Sequence, residues 1–167
     1  MTVTLEEIEN YHNILLGEND GKEEQLQAQR KRLTDAIYIT LDSGVEPDSE
    51  HIAEITAAMQ KDIQLRDFML GLPSEREIQD VNTYLAYFVD SVPDEFIAPV
   101  GSVLASNLYS LEQTDAAKEL LSKVQQANPR YSLANLLNRV FNSGWPASAF
   151  TAMTHELHPK VKAGMGI

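Results

Sequence analysis

Residues 128–146 read NPRYSLANLLNRVFNSGWP. Asn128-Pro129 ends a helix, because proline has no N–H to donate and its ring obstructs the preceding turn. Ser132 starts another, since its hydroxyl suits a helix N-cap. Leu133, Leu136, Leu137, Val140 and Phe141 then recur at the three- and four-residue spacing of one helix face. Gly144 stops this helix, and Trp145-Pro146 follows. A stop, a start, an apolar stripe and a second stop within so few residues predict an amphipathic helix serving as a packing unit.

The same pattern extends toward the N-terminus. Thr4-Leu-Glu-Glu7 forms a capping box, with Leu5, Ile8, Tyr11, Leu15 and Leu16 behind it and Gly17 as its stop. A long helix is expected from Lys22 to Ser43, carrying Leu26, Leu33, Ile37 and Leu41, with Gly44 as its stop. Arg30-Lys31-Arg32 lies inside it. Adjacent helical residues point in different directions, so these three do not make one basic patch. Pro47-Asp48-Ser49 opens a third helix whose stripe runs from Ile52 to Leu70. Ser74-Glu-Arg-Glu77 reads as a second capping box before Ile78, Val81, Leu85, Phe88 and Val89.

Val92–Pro99 marks an internal boundary, with Pro99 in the first turn of a helix reaching about Ser110. Thr114 caps the next, with Ala117, Leu120, Leu121 and Val124 facing inward. Residues 146–157 form one more short helix, and 158–167 form a flexible tail. No segment alternates apolar and polar residues as a half-buried strand does. The expected fold is all-α, a bundle of about seven or eight helices. Residues 1–92 make an acidic N-terminal part and 93–157 a C-terminal part, within one compact domain.

Composition narrows the function classes. The 167 residues are enough to bury a core, and the absence of cysteine excludes disulfides, thiolate metal sites and cysteine catalysis. The net charge of −12 is uneven: residues 1–97 carry 21 acidic and 7 basic side chains, whereas residues 98–167 carry 4 and 6. So acidic a first part repels phosphates and argues against direct nucleic-acid binding. It suits either a solvated surface or mimicry of DNA toward a basic protein. The acidic start is not a signal peptide, and no apolar run has the length of a membrane helix, so a cytoplasmic protein is expected.

Residues 98–131 match the spacing of one tetratricopeptide-like helical hairpin. Leu104, Ala105, Leu108, Ala117, Leu121, Val124 and Pro129 occupy its apolar, small and terminating positions. Gly101 stands at the motif's tryptophan position and Glu112 at a usual glycine. Three stretches carry a wider resemblance: Asp62-Ile-Gln-Leu-Arg-Asp67, Ala116 through Tyr131, and Ser132 through Pro146. Over roughly residues 30–150 the chain resembles the C-terminal helical half of the actinobacterial family Domain of Unknown Function forty-one ninety-two. The resemblance implies an α/β half preceding the helical part in full-length members, in place of which this chain has acidic helices. It implies no reaction, cofactor or catalytic residue.

The candidate interaction residues are Trp145, Arg66, Asp67, Tyr84 and Tyr87. Trp145 either anchors a partner or folds over the end of its helix. Arg66 follows Met59 and Ile63 along one face, so it is expected to be partly buried and to need a carboxylate or carbonyl partner; the Arg66–Asp67 pair either holds a charged ligand group or orients two helices, with Asp35, Asp62 or Glu77 as the partner. Tyr84 and Tyr87, with Phe88 and Tyr38, are expected to pack between helices rather than to stack on bases. His155 and His158 are three apart rather than four, and exposure near a helix end is the simpler reading than a shared metal. No phosphate loop, nucleophile elbow or isolated carboxylate pair is present. No enzyme, metal or cofactor is expected. The leading expectation is a non-enzymatic protein-interaction or scaffolding module with a protein partner or self-association. The alternative is an acidic DNA mimic or inhibitor, of phage or plasmid origin, that binds a nucleic-acid-binding protein.

Overall fold

A computed structural model describes all 167 residues and contains nine α-helices, two short 3-10 turns and no strand. The helices are α1 (Leu5–Ile14), α2 (Glu23–Ser43), α3 (Ser49–Lys61), α4 (Ile63–Gly71), α5 (Ile78–Ser91), α6 (Ile97–Ser110), α7 (Thr114–Ala127), α8 (Ser132–Asn142) and α9 (Ala147–Met165). The all-helical expectation holds, but the number of helices exceeds seven or eight.

The extra helix arises where the apolar spacing predicts one long helix from Pro47 to Leu70. The chain breaks at Asp62, which has extended backbone angles and caps both α3 and α4. No glycine or proline announces the break. The Asp62 side chain accepts the Gln64 N–H at 3.1 Å and a two-point bond from Arg30 at 2.7 and 2.9 Å. Satisfying a buried guanidinium outweighs one more turn of continuous helix. Arg30, Lys31 and Arg32 do point apart, pairing with Asp62, Asp35 and Glu54 respectively.

Of the two expected capping boxes, one forms. The Thr4–Glu7 box forms with both of its reciprocal bonds. The Ser74–Glu77 box does not: Ser74 donates to the Gly71 carbonyl at 2.7 Å, and α5 begins behind Glu77 with no side-chain cap. Glu75 is instead drawn into a tertiary cluster. Thr114 and Ser132 are first helical residues, preceded by Gln113 and Tyr131 at the cap positions.

Two apolar clusters meet on α6. Val100, Val103 and Leu104 join the core of α1 through α5, while Ile97, Ala98, Ala105 and Tyr109 join the core shared with α7, α8 and Phe150 of α9. Serving two cores explains why α6 is nearly all apolar or small and almost wholly buried. Helices α6 and α7 approach closely because Gly101 has no side chain; a Cβ there would lie 2.6 Å from a Val124 methyl. Their connection is a Schellman turn, in which the Gln113 N–H reaches the Leu108 carbonyl and the Glu112 N–H the Tyr109 carbonyl. Glu112 occupies its left-handed position at φ 61°.

The expected flexible tail is a correction. Residues 158–165 continue α9 through Pro159, and Met165 is 1% exposed within the first core. Proline costs this helix the bond to the His155 carbonyl. Tertiary contacts from His158, Lys162 and Met165 offset that loss, and Gly166 ends the helix at φ 78°.

Candidate functional site

Helices α4, α8 and α9 leave an open groove of about 330 Å³ between them. Arg66, Asp67, Leu70 and Gly71 line it from α4, and Leu133, Leu136, Leu137 and Val140 from α8. Phe150, Met153, Thr154, Leu157, His158 and Val161 form the α9 wall. The α8 and α9 positions recur at three- and four-residue intervals, so each helix presents one face to the groove. The volume lies at the small end of ligand-sized cavities. Leu136, Leu157 and Trp145 at its edge are 48%, 45% and 39% exposed.

Three of the sequence candidates therefore meet here: Arg66, Asp67 and Trp145. Arg66 is partly buried, as expected, but Asp35, Asp62 and Glu77 are not its partners. Its Nε and Nη2 donate to Asp67 Oδ1 at 3.0 and 2.7 Å, and its Nη1 donates to the Tyr131 hydroxyl at 3.3 Å. Burial works against the charged guanidinium, yet Tyr131 and Asp67 outweigh it and raise the Arg66 pKa. The Trp145 ring meets Phe150 edge-on at 6.4 Å, and its carbonyl accepts a hydrogen bond from the Tyr109 hydroxyl. Its backbone is thus fixed while its ring stays half-open.

Tyr84 and Tyr87 lie elsewhere, in a smaller and more polar depression lined also by Asp42, Arg76 and Asp80. Tyr84 is buried, packs on Phe88 at 5.0 Å and meets His51 Nε2 at 2.7 Å. Burial pushes its hydroxyl well above the usual tyrosine range and pushes the His51 pKa down. Tyr38 packs instead on Phe68, at 5.6 Å.

The sequence gives no sign of the polar cluster that His158 joins. Glu75 receives the Tyr38 hydroxyl at 2.5 Å, His158 Nε2 at 2.7 Å and Lys162 Nζ at 3.0 Å. Burial pushes the Glu75 carboxyl up, but hydrogen bonds from His158, Tyr38 and Lys162 prevail and hold it at about 2. His158 is not exposed at a helix end: it is 3% exposed and packs against Gly71. Its partners are more than eighty residues away in sequence, so no local pattern reveals them. No group of three or more His, Asp or Glu side chains has an arrangement suited to a metal ion, and no helix is long and apolar enough to cross a membrane.

No curated protein and no solved structure matches this chain. A family model does match, over residues 6–148, and so takes in the acidic helices α1 and α2 as well as the stretch from residue 30 onward. The chain belongs to the family described as Domain of unknown function (DUF4192).

Proposed function

We propose that this protein is a non-enzymatic protein-interaction or scaffolding module and that the groove between α4, α8 and α9 is its docking face. The observation that carries this reading is the apolar groove edged by exposed Leu136, Leu157 and Trp145. Apolar side chains gathered on one face gain most by being covered by a partner. The tetratricopeptide-like reading of residues 98–131 draws support from the close approach at Gly101 and from Pro129 just beyond α7. Sedimentation and cross-linking of the full chain, alone and with captured partners, test the proposal. Leu136→Asp and Trp145→Ala should abolish the association while leaving the melting temperature nearly unchanged. A strictly monomeric protein with no partner overturns it.

A second reading, an acidic mimic of DNA, draws on the charge of residues 1–97. Arg32–Glu54 and Arg76–Asp42 ion pairs interrupt that acidic surface, so the mimicry reading ranks second. Displacement of DNA from basic proteins by the full chain is its test.

A further inference from the structure

Arg139 and Lys160 stand beside the two exposed leucines of the groove. Arg139 follows Leu136 by three residues on α8, and Lys160 follows Leu157 by three on α9. Side chains three apart on a helix are neighbours. Both cations are exposed, and neither takes part in an ion pair of its own chain. Residues 132–162 hold Arg139, Lys160 and Lys162 against Glu156 alone, in a chain whose net charge is −12. The groove is thus an apolar slot with a basic edge on an acidic molecule.

The opposite combination lies at the turn between α2 and α3. Ile39 and Val45 are 71% and 69% exposed, and both border one depression with Glu46, Asp48 and His51. Val45 also borders the depression that holds Tyr84 and Tyr87, so it stands on the ridge between the two. Gly44, left-handed at φ 67°, reverses the chain just before Val45. Residues 39–50 carry Asp42, Glu46, Asp48 and Glu50 and no lysine or arginine. Asp42 is bound to Arg76, and Asp48 accepts the His51 N–H. Glu46 and Glu50 are exposed and free of ion pairs.

An exposed apolar pair edged by carboxylates complements an apolar slot edged by cations. Contact between them removes apolar surface from water and brings opposite charges together at the rim. The turn does not reach the groove of its own chain: Ile37, Leu41 and Ile52 hold α2 and α3 in the first core, and no residue of either helix lines the groove. We propose that the groove docks the α2–α3 turn of a second copy of this chain, with Ile39 and Val45 against Leu136, Leu157 and Trp145, and Glu46 and Glu50 toward Arg139 and Lys160. The inference rests on the docking-face reading and names the occupant. Two different patches meet in such a contact. Each copy therefore offers its turn to one neighbour and its groove to another, and the assembly closes as a ring or continues as a filament.

Sedimentation of the full chain at concentrations up to about 1 mM is the test. The expected mass rises with concentration beyond that of a dimer, and falls again as salt screens the rim charges. Leu136→Asp blocks the groove and Val45→Lys blocks the turn. Each variant alone should self-associate about 10-fold more weakly or worse. Their mixture should form a one-to-one complex and nothing larger, because one variant keeps a working turn and the other a working groove. Both side chains are exposed, so melting temperatures should stay unchanged; if Leu136→Asp lowers its own, Arg139→Glu takes its place. A mixture that stays monomeric while the unaltered chain assembles overturns the proposal. Assembly indifferent to Val45→Lys overturns it in favour of another contact, such as groove against groove. An unaltered chain that is monomeric at every concentration also overturns it. The docking face survives that last outcome where Leu136→Asp abolishes association with a foreign partner, and falls where no partner associates.

Discussion

Gly71 and His158 are matched: the imidazole occupies the space that any side chain at residue 71 would need, with Nδ1 2.2 Å from the position of an added Cβ. The contact fixes α9 against α4 and brings His158 within reach of Glu75. Gly71→Ala should therefore push the ring away and disturb the Glu75 cluster. Overpacking of this kind costs about 1–3 kcal/mol, and urea unfolding of the two proteins measures it. An unchanged midpoint would show that the two helices shift freely.

Arg30 and Asp62 form the most enclosed ion pair, with side chains 10% and 3% exposed. Asp62→Ala leaves a buried guanidinium without its carboxylate and removes the cap of α4. The expected loss is about 3–5 kcal/mol. Lys31 and Asp35, exposed on one face of α2, offer the contrast: Asp35→Ala should cost less than about 1 kcal/mol. Similar losses for the two variants would contradict the assigned burial.

Glu75 makes stability depend on pH. Its folded carboxyl titrates at about 2, below the ordinary value of 4.5. A depressed pKa contributes stability above the unfolded value, and that contribution is lost as pH falls from about 4.5 toward 2. Chemical unfolding across this range should show a decline, and Glu75→Gln should flatten it. An equally steep decline in the variant assigns the acid sensitivity to other carboxylates.

Glu112 holds the left-handed position of the α6–α7 turn, at φ 61°. Side chains other than glycine are strained there by roughly 1–2 kcal/mol. Glu112→Gly should stabilise the protein by about 0.5–1 kcal/mol after the extra freedom of the unfolded chain is subtracted. Thermal unfolding reads the gain, and a lower melting temperature would assign Glu112 a compensating interaction.

The C-terminal helix depends on its last turns. Met165→Ala should cost about 2–5 kcal/mol, as buried methionines do when truncated, because Met165 fills the first core from the end of α9. A protein indifferent to the change would restore the expectation of a loose tail.

The sequence alone determines the helical class and most helix boundaries. Stripes at Leu133, Leu137 and Phe141, the Thr4 capping box and the stops at Gly44 and Gly144 are local features, and local spacing is what decides helix formation. Membership of the family was also legible, in residues 116–146. What only the tertiary structure decided rests on partners distant along the chain. Asp62 splits a helix for the sake of Arg30, and Glu75 leaves an expected cap to gather Tyr38, His158 and Lys162. Arg66, Asp67 and Trp145 share a groove because α4, α8 and α9 meet, whereas Tyr84 and Tyr87 face another depression. Burial of a charge or an imidazole is settled by which helices pack together, and helical periodicity carries no information about that choice.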